Sequence, residues 1–169
     1  MKKPFNGGIQ KGTTAFDEAS KKLDADAKDI RNELEFAFDE LTMVRVINKK
    51  QKFELVGDDC FSFAPDGGAW FKDGKLVAAF ECKKQGVHGN ACERWWDNAV
   101  TAKFINQDVV YVTFCSGAGA SEGEVLDKMR RKGELMMGDK FKFFMSIDGF
   151  SYDEMKAIFI DILTEIAEK

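Results

Sequence analysis

The chain has one histidine, His88, and none of its four cysteines forms a Cys-x-x-Cys pair. A structural zinc site takes several such ligands at close spacing, so no zinc site is expected. Cys60, Cys82, Cys92 and Cys115 are scattered along the chain and read as reduced thiols, which suits a cytoplasmic protein. No apolar run approaches the roughly 20 residues of a membrane span. The opening MKKPFNGGIQKGTTAF carries lysines but no apolar stretch behind them, so neither a signal peptide nor a membrane partner is expected. The glycine-rich stretch SGAGASEGE lacks the Gly-Lys-Ser/Thr of a phosphate-binding loop. A cationic excess is missing too: the net charge is −4, which argues mildly against nucleic acid as a partner.

The 169 residues, 44% of them hydrophobic, suffice for one domain with a sizeable core. Residues 1–12 are polar and hold Gly7, Gly8 and Gly12; they are expected to form a flexible arm ahead of a single domain over residues 13–169. The charge is unevenly spread. Acids dominate the first and last helical stretches, whereas Lys72, Lys75, Lys83, Lys84, Arg94, Lys128, Arg130, Arg131, Lys132, Lys140 and Lys142 crowd the middle. An acidic body can therefore still present a basic face.

Phe16, Leu23, Ile30, Leu34, Phe38 and Leu41 recur at helical spacing, which predicts a helix from Thr13 or Thr14 to about Val44. The following VRVINKKQKFELVG reads as extended with a polar break. Phe61 and Phe63 predict a strand leading into Pro65-Asp66, and Lys72-Asp73-Gly74-Lys75 a hairpin turn. The near-continuous apolar run from Leu76 to Lys83 predicts a strand buried on both faces. A helix over 90–105, a strand over 109–115, a helix over 122–136, a strand over 141–147 and a helix over 151–169 complete the chain. Ser151 and Glu154 fit a capping box for the last helix. The expected class is α/β, a central mixed sheet flanked by helices.

Asp66 ends the predicted third element, and Glu81 and Lys83 end the next strand as Glu-Cys-Lys. Side chains alternate along a strand, so Glu81 and Lys83 share a face and Cys82 points to the other. Two converging carboxylates suit a hard cation such as Mg2+. A lysine beside them can orient or deprotonate a water and steady charge on a phosphate. A Pro-Asp turn followed by a strand with ordinary edge charges would give the same letters. A second pattern, GNACER, opens the next helix. Asn90 and Arg94 are one helical turn apart and lie on one face. A helix N-terminus favours phosphate, and Asn and Arg can read base edges bidentately; a capped helix with solvated Glu93 and Arg94 is the plainer reading. Trp95 and Trp96 are adjacent, so one is expected in the core and the other nearer the surface. Glu35 is a further candidate acid for a metal site.

Together, PDGG, ECKKQG and GNACER resemble the EcoRI/MunI (EcoRI-like) family of type II restriction endonucleases, within the PD-(D/E)xK nuclease superfamily. The resemblance covers Pro65 to Arg94 closely and the rest in element order. It implies a restriction-endonuclease-like fold and a Mg2+-dependent double-strand DNA endonuclease acting as a homodimer. It implies catalytic roles for Asp66, Glu81 and Lys83, and metal ligation by Asp66, Glu81 and the Cys82 carbonyl. It also implies DNA contacts from Gln85, Gly89, Asn90, Ala91 and Arg94, with a palindrome containing AATT as target. Only Val87 and His88 lie between the Gln-Gly and Gly-Asn-Ala motifs, where the family carries a longer insertion, so its DNA-embracing arm is expected to be absent. Arg130 and Arg131 are candidates for outer-base contacts. A homing, repair or phage nuclease with another target, or a non-cleaving DNA-binding protein of the same fold, would keep many of these features.

Overall fold

The computed structural model describes residues 14–57, 63–84, 91–116, 124–146 and 148–169. The expected arm over 1–12, the strand call at Phe61, and the candidate contacts Gln85, Gly89 and Asn90 lie outside the described residues. The elements, in chain order, are helix α1 (Thr14–Leu34), strand β1 (Thr42–Val44), helix α2 (Lys49–Val56), strands β2 (Ala69–Lys72) and β3 (Lys75–Lys84), helix α3 (Ala91–Ile105), strand β4 (Val110–Ser116), helix α4 (Glu124–Met137), strand β5 (Phe141–Ser146) and helix α5 (Tyr152–Ala167).

The strands form one sheet in the order β1-β2-β3-β4-β5. The pairs β1/β2 and β2/β3 are antiparallel, and β3/β4 and β4/β5 are parallel. The fold is thus α/β with a five-stranded mixed sheet flanked by helices. The turn between β2 and β3 has Asp73 at φ 51° and Gly74 at φ 76°, the left-handed pair that a two-residue hairpin demands. The two parallel pairings need crossovers, supplied by α3 and α4.

Alternation along the strands divides the core into two layers. Ala78, Phe80 and Cys82 of β3, with Val112 and Phe114 of β4, meet Leu23, Ala27, Ile30 and Leu34 of α1 and Met155, Phe159 and Leu163 of α5. The rings of Phe80 and Phe159 stack at 3.9 Å between centroids. On the opposite face, Ala79, Tyr111 and Cys115 meet Trp95, Ala99 and Ala102 of α3 and Met129 and Met137 of α4. The expected split of the tryptophans holds: Trp95 is fully buried, whereas Trp96 is half-buried and lies under the Lys132 ammonium.

Three expectations are corrected. Helix α1 stops at Leu34 rather than near Val44. Phe36 just beyond it is exposed, and Leu41 is buried because a turn returns the chain to the same core before β1. The apolar spacing therefore continued past the real helix end. The stretch read as extended instead contains α2. Its N-cap Asn48 and Gln51 form a reciprocal capping box, and Gly57 closes it at φ 72°. Residues 63–65 are not in a strand, so the first strand of the meander is β1.

Candidate active site

The site is assembled at the C-terminal end of β3. Asp66 sits in the turn that enters β2, where Gly68 N–H donates to the Pro65 carbonyl at 2.9 Å. Both glycines of PDGG have a physical reason. A Cβ at Gly67 would lie 2.5 Å from Phe159 Cζ and 2.6 Å from Phe80 Cβ, and Gly68 has φ +85°. Gly67 N–H donates to the Phe80 carbonyl at 2.9 Å, which lays the turn against β3. The Cys82 N–H donates to Asp66 Oδ2 at 3.2 Å. Arg31 of α1 grips the same turn from outside, its Nη1 donating to the Asp66 carbonyl at 2.9 Å.

Glu81 and Lys83 share the α3 face of β3, as the alternation requires. Glu81 is only 3% exposed. Its Oε1 accepts from the Lys83 ammonium and, at 3.2 Å, from Asn98 Nδ2 of α3. Its Oε2 is buried without a hydrogen-bond partner. Beneath it, Thr113 is the paired residue on β4, and its hydroxyl accepts from Trp95 Nε1 at 2.8 Å. Burial pushes the Glu81 carboxyl up; Lys83 opposes that rise and Asp66 adds to it. Burial pulls Lys83 down, but Glu81, Asp66 and Asp24 outweigh it and hold the ammonium above its ordinary value. That direction favours the ammonium form of Lys83, which suits charge stabilisation.

On the other face, Asp24 of α1, Asp66 and Cys82 present ligand atoms within 4.8 Å of one another. Burial, and after it the negative Asp66, push Asp24 up to about 6, against Lys28 and Lys83. Burial pushes the Cys82 thiol well up, which favours the neutral thiol. Oxygen donors remain the relevant set, and they match a hard cation. Glu81 Oε2 is buried without a hydrogen-bond partner and Asp66 acts on that carboxyl electrostatically; oxygen donors of this kind fit a divalent cation.

The structure thus brings together Asp66, Glu81, Cys82 and Lys83. It does not bring Glu35, which lies beyond α1 and accepts from Arg45 at 2.8 Å; the acid that α1 turns toward the site is Asp24. Arg130 pairs with Asp127 and Glu134, and Arg131 with Asp127, all along α4. Arg94 is exposed near the start of α3, one turn before Asn98 on the same helical face. Ala91 is the first residue of that helix. Sequence reasoning missed Asp24 and Asn98. Asn98 continues the Asn90–Arg94 spacing by one turn and so carried a readable signal, whereas Asp24 is one of several acids on α1 and carried none.

No family model matches the chain, and no curated protein or solved structure matches it either.

Proposed function

We propose that this protein is a Mg2+-dependent, sequence-specific double-strand DNA endonuclease of the PD-(D/E)xK type, similar to the EcoRI-like restriction enzymes. The observation that carries the reading is the Asp66–Glu81–Lys83 arrangement. A carboxylate fixed by the Cys82 N–H stands beside a buried glutamate with one unpartnered oxygen, and an ammonium contacts that glutamate. A meander β1-β2-β3 followed by the crossover β3-α3-β4 agrees with the core order of that superfamily and supports the same conclusion.

In this reading Asp66, Glu81 and the Cys82 carbonyl hold the cation, with Asp24 at its flank. Bound there, Mg2+ supplies polarisation of the scissile phosphate and a more acidic water. Lys83 places a fixed positive charge where the phosphate gains negative charge. Asn98 and Lys83 hold Glu81 in one orientation, and Arg31 holds the Asp66 turn. Arg94, with Gln85, Gly89, Asn90 and Ala91, contacts the bases and backbone of a palindrome with an AATT core.

A palindrome cut on both strands takes two sites, hence a homodimer. Support comes from the outer face of the α3–α4 layer, where Val100, Phe104 and Leu135 are exposed. Light scattering at micromolar protein, free and with duplex, should give twice the chain mass.

The decisive experiment is plasmid cleavage with Mg2+ against EDTA, followed by sequencing of the product ends. Discrete ends sharing AATT are expected. No cleavage under any divalent cation sinks the nuclease reading. Ends with another common sequence would point instead to a nuclease of a different target.

A further inference from the structure

Helix α2 differs from the other helices: none of its residues is buried. Short helices in water are marginal unless packing or caps hold them. This one relies on the Asn48–Gln51 capping box and the Gly57 cap, with Leu55 alone leaning on the core. In sequence the helix carries Lys49, Lys50 and Lys52 with Glu54, ahead of Asp58 and Asp59, in a chain of net charge −4. Lys50 is 85% exposed, and its nearest carboxylate oxygen, on Glu54, is 3.7 Å away. Phe53 is half-exposed among these lysines.

The topology puts this helix at the catalytic end of the sheet. Strand β1 runs in the same sense as β3, because each is antiparallel to β2. Val44 pairs with Ala69, which pairs with Ala79, so β1 ends at the level where β3 approaches Glu81. Just beyond, Ile47 N–H donates to the Phe63 carbonyl at 3.1 Å, and Phe63 leads directly through Pro65 to Asp66. The two chain segments that bracket α2 are thus tied together next to the candidate active site.

We propose that α2 is a backbone clamp for duplex DNA, in which Lys49, Lys50 and Lys52 engage phosphates beside the scissile one while the Asp66–Glu81–Lys83 site does the cutting. The assignment rests on the endonuclease reading and adds a surface to it that no motif indicated. Such contacts position the duplex without reading its sequence. They release counterions, so each contributes about 0.9 to the slope of log K against log salt.

The test measures anisotropy of a labelled duplex containing AATT and of one lacking it, in EDTA from 50 to 200 mM NaCl. The proteins are the full chain, the triple variant Lys49→Gln/Lys50→Gln/Lys52→Gln, and a control, Lys75→Gln/Lys140→Gln/Lys142→Gln. The control removes the same charge at the opposite end of the sheet, where β3 and β5 begin. The triple variant should flatten the slope by about 2 to 3 and weaken both duplexes by the same factor, and the control should leave the slope near wild type. The single variant Lys50→Gln, at an exposed position, should flatten it by about 0.9 even if the triple variant misfolds. A wild-type slope for Lys50→Gln and the triple variant, or equal flattening by the control, overturns the clamp while wild-type binding leaves the nuclease reading standing. A wild-type chain that neither binds either duplex nor cuts plasmid with Mg2+ overturns the nuclease reading itself, and the clamp with it.

Discussion

The backbone N–H of Cys82 donates to the Asp66 carboxylate at 3.2 Å, so the turn that enters β2 is fastened to the strand that carries Glu81. One hydrogen bond thereby links the segments that carry two acids fifteen residues apart. The middle residue of Glu-Cys-Lys contributes through its backbone, while its side chain is spent on the α1 face of the core.

Removing the lysine should separate binding from chemistry. Lys83→Ala should lower the single-turnover cleavage rate about 10²–10³-fold, the usual cost of a fixed charge-stabilising group, with duplex affinity in EDTA little changed. Glu81→Gln and Asp66→Asn should abolish Mg2+-dependent cleavage. Near wild-type rates for Glu81→Gln would reject the site.

Asp24 gives a pH signature. Its carboxyl is raised from 3.8 to about 6 in the folded chain, so its ionised form is disfavoured by folding. The penalty is absent below the unfolded value near 4, grows as pH rises toward 6, and is constant above that. A shift of this size sets a ceiling of about 3 kcal/mol; solvent around a partly buried carboxyl reduces it to about 1–2 kcal/mol. Asp24→Asn should therefore stabilise the metal-free protein by that amount at pH 8 and by almost nothing at pH 4, read from urea melts in EDTA. Mg2+ should raise the stability of the wild type more than that of the variant, since a ligand of the native state stabilises by mass action. Equal gains from Asp24→Asn at both pH values would refute the assignment.

Gly67 tests the close approach beneath the site. Gly67→Ala puts a methyl against Phe159 and Phe80 and should cost about 1–3 kcal/mol, as overpacking does. Phe159→Leu should relieve part of that strain, giving a coupling of at least about 0.5 kcal/mol in a double-mutant cycle. Additive effects would mean that the ring is not what excludes the side chain.

The parts of the fold legible in the sequence were those with a strong local or periodic signal. The Asp73-Gly74 turn, the buried run of β3, the Trp95 face of α3 and the Ser151–Glu154 cap all stand where residue pattern placed them. Helix α2 was missed because burial periodicity was the criterion and α2 buries nothing; its Asn48-x-x-Gln51 cap was the readable mark. The end of α1 was missed for the opposite reason, since Leu41 is buried from a turn and mimics one more helical repeat. At the site, alternation placed Glu81 and Lys83 on one face. Asp24 could not be read from spacing, because its approach depends on how α1 crosses the sheet.

The last prediction concerns specificity. Asn98 of α3 donates to Glu81, so the helical face that bears Asn98 looks toward the strand that carries Glu81. Arg94 lies one turn closer to the helix start on that face and is exposed. If Arg94 reads a base edge, Arg94→Ala should cost about 1–3 kcal/mol on the cognate duplex and little on random DNA. A lysine that only touches phosphate weakens both alike. Anisotropy titrations with the same two duplexes measure the difference directly. Equal losses on both would make Arg94 a backbone contact and move the search for base readers to other residues, while leaving the Asp66–Glu81–Lys83 chemistry untouched.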